Sequence, residues 1–152
     1  MPVDPAFIGT ELPNLIVDIE SGRLRLFAKS IGETDPVYAD KSAARAAGHR
    51  DLPVPPTFLM ALEREQNDAL GYLTEMGVDL RHVLHGEQAF TYHRMAYAGD
   101  RLSVHRRIAD VYTKRNGTLE FIVKDTTIGR ADGTPIADLR SVFVVRNPAG
   151  AG

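Results

Sequence analysis

TFLMALEREQNDALGYL, residues 57–73, is the stretch whose reading decides the fold. Phe58, Leu59, Leu62, Ala69, Leu70 and Leu73 follow the three-and-four spacing of one helix face, and Thr57, behind Pro55 and Pro56, has the side chain of an N-cap. The first half is apolar almost all round and belongs inside a protein. Its middle, Glu63 to Asp68, is polar and has to meet a surface or a subunit boundary. From Val83 the apolar period drops to two. The runs Val83 to Tyr92, Arg101 to Tyr112, Leu119 to Ile128 and Ile136 to Arg146 alternate apolar with polar side chains. Turn signals at Ala98-Gly99-Asp100, Arg115-Asn116-Gly117 and Ala131-Asp132-Gly133-Thr134 separate them, as in antiparallel hairpins. Runs of about ten residues exceed the usual five or six, which suits a curved sheet closing on a helix. The expected class is therefore α+β, with one long central helix wrapped by a curved antiparallel sheet.

Upstream, Met1 to Pro13 carries three prolines and reads as an extended arm. Leu15 to Val17 is β-prone. A helix then starts near Glu20-Ser21-Gly22, with Leu24, Leu26, Phe27 and Ile31 as its buried face and Gly32 as its left-handed cap. Asp35-Pro36 ends helical geometry, so Glu33 and Asp35 sit on a tight turn. Asp40 caps a short helix over Lys41 to Ala47, closed by Gly48. Pro53, Pro55 and Pro56 keep the chain extended up to Thr57. The last residues, Asn147 to Gly152, form a small flexible tail, and the whole of 1–152 is expected to be one domain.

Composition narrows the function. Twenty acidic against eighteen basic residues leave no basic stripe for a phosphate backbone, so nucleic acid is not an expected partner. Without cysteine there is no disulfide framework, thiolate nucleophile or cysteine-ligated metal. His82, His85, His93 and His105 lack the further ligands of a recognised metal spacing, and no glycine-rich phosphate loop follows a strand; no metal or other cofactor is expected. No run approaches the roughly 18 apolar residues of a membrane span, and the start has no signal-peptide pattern. A cytoplasmic protein with no membrane partner is the expectation.

Two segments carry a resemblance. Phe27 to Asp40, FAKSIGETDPVYAD, resembles the hydratase motif of MaoC-like dehydratases and R-specific enoyl-thioester hydratases. His85 to Arg94, HGEQAFTYHR, with Ala98-Gly99-Asp100 behind it, resembles the N-terminal MaoC-like dehydratase domain related to the dehydratase portion of fungal fatty acid synthase. The resemblance implies the hot-dog fold and reversible addition of water to enoyl thioesters of coenzyme A or acyl carrier protein. In active members of that family the motif supplies an aspartate and, five residues on, a histidine that hold and activate one water. Here those positions hold Glu33 and Tyr38, and Asp35 stands where asparagine is common. A tyrosine with an ordinary pKa near 10 donates a proton more readily than it accepts one.

Two readings follow. The chain is a hydratase or dehydratase in which Glu33 or Asp35 activates water and Tyr38 or His85 is the second proton partner. Alternatively, it is the non-catalytic subunit of a heteromeric dehydratase, lining the acyl groove while a second MaoC-like chain brings the aspartate and histidine. An acyl-CoA thioesterase on the same scaffold is a weaker third. Substrate contacts are expected from His49 on its loop, and from Pro56, Thr57 and Phe58, whose helix start presents backbone N–H groups to the thioester oxygen. His93 and Arg94, at a strand end, are expected to meet a ligand phosphate or a partner. Glu87 is expected as a further substrate contact, on the same strand face as His85 two residues away. Tyr38 packed against its loop, Asp35 as a turn-former and Glu33 as a solvated charge are the alternative readings of the same residues. The open sheet edges call for a homodimer or a heteromer with a second MaoC-like subunit.

Overall fold

The computed structural model describes residues 2–147; the tail expected over 147–152 falls, from residue 148 on, outside the described residues. Strands β1 (Glu11–Asp18), β2 (Val83–Tyr92), β3 (Arg101–Lys114), β4 (Leu119–Arg130) and β5 (Pro135–Arg146) form one antiparallel sheet in the order β1-β3-β4-β5-β2. The edges are therefore β1 and β2. Helices α1 (Ser21–Ser30), α2 (Lys41–Ala46) and α3 (Gly71–Glu75) and the 3-10 segment Pro56–Glu65 occupy the concave side. This is the hot-dog architecture read from the sequence, and the strand limits match that reading to within a few residues. Strand β2, however, does not form the expected hairpin with β3: it pairs with β5 at the opposite edge, and β3 pairs with β1 and β4.

The central rod differs from the expectation. It is not one helix: Pro56–Glu65 winds as 3-10 turns, residues 66–70 form turns, and α3 restarts at Gly71. Asn67 and Asp68 are residue types that disfavour helix interiors, and the Asp68 carboxylate fills the space a Cβ on residue 71 would need. Thr57 is not the cap either, because the segment starts at Pro56 with no side-chain cap bond. Apolar contact holds the rod despite its irregular backbone. Phe58, Leu59 and Leu62 are buried against Leu102, Val104, Ile128 and Leu139 of the sheet, each such side chain contributing about 1.5–3 kcal/mol.

Three smaller differences have local causes. The arm over 1–13 is a 3-10 turn (Pro5–Phe7) followed by the first residues of β1, and Val3 is buried with its N–H donated to Glu120. In α1 the buried pair is Leu24 and Ala28, four apart on one face, while Leu26 and Ile31 lie exposed. Glu63, assigned to a surface by its polar neighbours, is buried. The capping scheme between α1 and α2 is as read: Gly32 takes φ +74°, Asp35 caps Pro36–Tyr38, and the Asp40 carboxylate accepts from Ser42 and Ala43.

Candidate active-site groove

The turn between α1 and α2 explains the two motif carboxylates. Glu33 Oε1 accepts from the N–H groups of Thr34 and Asp35 at 2.9 Å each, and Asp35 Oδ1 accepts from Val37 N–H at 3.0 Å. Both side chains are exposed and engaged in shaping the turn. Tyr38 follows, half-buried. Burial pushes its phenol pKa up, and the nearby charges of Glu33 and Asp35 push it further the same way. The hydroxyl at the motif's histidine position therefore keeps its proton and can only donate or bridge near neutral pH.

Tyr38 borders an apolar groove of about 210 Å³ at the end of edge strand β2. Val54, Pro56 and Leu59 form one wall, and Tyr92, His93, Arg94, Met95 and Ala96 form the other. Of the expected site residues, the proton partner Tyr38 and the substrate contacts Pro56 and Arg94 thus come together. His93, read with Arg94 as a strand-end contact for a phosphate or a partner, joins them; its Nε2 lies 2.7 Å from Asp138 Oδ2. No periodicity could have paired residues 45 apart, but the antiparallel β2–β5 register that sets Thr91 opposite Asp138 brings them together.

The remaining expected residues lie elsewhere. Phe58 is a core residue, edge-on to Phe27 at 5.2 Å, and its N–H is donated to the Pro55 carbonyl rather than left free for a thioester. Thr57 is exposed beside it. His49 packs on Tyr97, Nδ1 to Oη 3.2 Å. Next to it the buried Asp100 binds Arg50 and Arg130 and accepts from the Tyr97 N–H. Burial alone would raise the Asp100 pKa, but the bonds from Arg50, Tyr97 and Arg130 outweigh it and hold the carboxyl below the usual range.

His85 and Glu87 do not share a face. A bulge at Gly86 shifts the register between them, so His85 opposes Phe143 on the concave side and Glu87 opposes Val142 on the outer side. Gly86 is required there, since a Cβ would stand 2.7 Å from Val144 Cγ2. His85 Nε2 lies 3.0 Å from Gln88 Oε1, and the ring borders a separate, water-sized cavity of about 20 Å³ with Glu63, Lys124 and Ser141. It is not part of the Tyr38 groove.

That second cluster was not visible in the sequence. Lys124 Nζ forms an ion pair with Glu63, both nearly fully buried, and Thr126 Oγ1 donates to the other Glu63 oxygen at 2.9 Å. Burial lowers the Lys124 pKa while Glu63 works against that shift.

A family model described as the FAS1-like, dehydratase domain region matches residues 6–139. A UPF0336 protein of Saccharopolyspora erythraea is 33% identical over 150 residues, covering 98% of this chain and 95% of its own. Among solved structures, the C-terminally truncated HadBC (3R-hydroxyacyl-ACP dehydratase) complex of Mycobacterium tuberculosis superposes with a TM-score of 0.77 at 21% identity, over 91% of this chain and 96% of that one. The ChsH1-ChsH2 complex from the same organism gives 0.75 at 22% identity, over 93% and 91%.

Proposed function

The chain belongs to the FAS1-like dehydratase-region family, and from that premise we propose that it is the substrate-holding subunit of a two-chain hydratase or dehydratase acting on enoyl or 3-hydroxyacyl thioesters. In this reading a second MaoC-like chain supplies the aspartate and histidine that activate water, and this chain supplies the acyl groove. One observation carries it. At the motif's position a protonated phenol borders the groove, while the two motif carboxylates are bound within their own turn and do not line it. His85 belongs to a different cavity, and the groove's histidine, His93, is engaged with Asp138.

Two further facts support it. Both solved structures named above are complexes. Edge strand β2, whose residues are mostly exposed and whose outer side carries no neighbouring strand among the described residues, ends at the groove. A partner strand added there would hide Leu84 and Tyr92, about half exposed, and would bring its own residues to the groove mouth. In this reading Arg94, which lines the groove, meets the phosphates of coenzyme A or a carrier arm.

The test is hydration of crotonyl-CoA by the purified chain, alone and mixed with a MaoC-like protein encoded beside it. No turnover alone and turnover on mixing is the expected result. Turnover by the chain alone, lost in Glu33→Gln or Asp35→Asn, overturns the accessory role and returns the water-activating step to the turn. Release of free coenzyme A from a saturated acyl-CoA would mark a thioesterase instead.

A further inference from the structure

The concave face of the sheet is not uniformly apolar. Across neighbouring strands the register sets Arg106 opposite Thr126, Lys124 opposite Ser141, and Ser141 opposite Gln88. Arg106, Thr126, Lys124 and Ser141 are buried and Gln88 is half-buried. They form a diagonal polar belt, closed from above by Glu63 and Gln66 of the central rod. Ser141 Oγ donates to Gln88 Oε1 at 2.7 Å, and Arg106 donates to the Pro13 carbonyl at 2.6 Å.

The belt divides the core in two. On the groove side lies the cluster built on Val54, Leu59, Ala96, Val104, Ile128 and Leu139, with Phe90 against it. On the far side lies the cluster of Tyr72, Leu73, Ile108, Ile122, Phe143 and Val145. Nothing apolar in the groove-side cluster requires a charged floor. An ion pair, a guanidinium and two hydroxyls inside a core cost free energy that well-packed apolar residues would not. Arg106 Nε in the belt and Tyr72 Oη in the far-side cluster, over whose ring Lys124 Nζ lies at 5.2 Å, are buried without a partner among the described residues.

We infer that this belt is a length stop for the acyl chain, an inference that rests on the proposed thioester groove. Past the groove the inner side of β2 carries Tyr92 and Phe90, whose rings stack at 5.7 Å, and an alkyl chain leaving the groove would run along this side. It then meets Gln88, four residues from Tyr92, which is about 13 Å along a strand. That span takes roughly ten carbons of a zigzag chain with bonds of about 1.5 Å. Beyond it each methylene would lie against the Glu63–Lys124 pair, His85 and Ser141, which line the small cavity on that side, and would displace any water that serves them.

Equilibrium binding of a saturated acyl-CoA series, butyryl to hexadecanoyl below its micellar concentration, tests this on the intact chain. Affinity should rise by up to about fourfold per added methylene as far as about decanoyl, then level or fall. In Glu63→Leu/Lys124→Met, which replaces the pair by apolar groups of similar size, the rise should continue into longer chains. A wild-type affinity that keeps tightening to hexadecanoyl overturns the stop and leaves the groove reading intact, whatever the folding of the variant. A folded double variant with an unchanged ceiling overturns it as well. Failure of every acyl-CoA to bind removes the thioester groove itself, and the stop with it.

Discussion

The chain contains two carboxylate centres built in opposite ways. On the α1–α2 turn, Glu33 and Asp35 are exposed and spend their oxygens on backbone N–H groups one or two residues away. In the core, Glu63 is buried and spends its oxygens on Lys124 and Thr126, side chains more than sixty positions away. The first centre sits where the family's chemistry is expected and is engaged by its own turn. The second sits where an apolar residue is expected and binds the rod to the sheet. A motif position therefore gives the location of a site in this fold without giving its chemistry. The polar groups costliest to bury are the better guide to what the chain carries for reasons beyond packing.

The sharpest way to break that contrast is to remove one partner of the buried pair. Glu63→Leu leaves Lys124 charged and alone in a low-dielectric site and should cost about 3–5 kcal/mol, whereas Glu63→Leu/Lys124→Met should return to within about 1 kcal/mol of the wild type or exceed it. Urea unfolding of the single and double variants measures both. Equal losses in the two would show that the pair contributes only its packing volume.

A medium effect is expected at Asp100, the hub between the His49 loop and β3. Asp100→Asn removes the charge that Arg50 and Arg130 share and should cost about 1.5–3 kcal/mol, the range of charge-assisted bonds. Its pH signature has a definite sign. The folded carboxyl is held below its unfolded value, so its stabilisation is complete above roughly pH 4 and is lost as the pH falls through the depressed folded value. Thermal melts at falling pH should lose that share in the wild type and not in Asp100→Asn. Parallel curves would remove Asp100 as the source.

Much of the architecture was legible because periodicity is a local signal. The alternating runs locate β2 to β5, and Gly32, Asp35 and Asp40 mark the turn between the first two helices. The broken rod was not legible, because Phe58, Leu62, Ala69 and Leu73 keep helical spacing across a segment whose backbone departs from a helix at Gln66. His85 and Glu87 were placed on one face by period two, which a single bulge at Gly86 reverses. The groove was half legible. The motif supplied Tyr38, and the strand end supplied Arg94. His93–Asp138 and Glu63–Lys124 depend on which strands become neighbours, and no spacing in the chain encodes that.

A smaller effect separates the edge of the belt from ordinary core. Tyr72 is packed edge-on to Phe143 at 6.4 Å while its hydroxyl has no partner among the described residues. Tyr72→Phe should be neutral or raise stability by up to about 1 kcal/mol, because the desolvated hydroxyl is deleted and the ring contact kept. A loss above that would mean the hydroxyl is satisfied in solution by bound water, and that the belt is wetter than its side chains alone require.

The least effect is expected at the turn, and there a null result is informative. The side-chain amide oxygen that Glu33→Gln introduces can accept the same two N–H bonds from Thr34 and Asp35, so stability should stay within about 0.5 kcal/mol. Turnover by the mixed two-chain enzyme should change by less than about threefold. A general base at this position would instead cost about 10²–10⁴ in rate. Tyr38→Phe separates the remaining possibility: if the phenol donates to the thioester oxygen, the mixed enzyme loses rate while Glu33→Gln does not. Opposite responses of these neighbours would assign the turn to geometry and the phenol to substrate contact, whereas a collapse in Glu33→Gln with folding intact would place the water-activating group on the exposed centre after all.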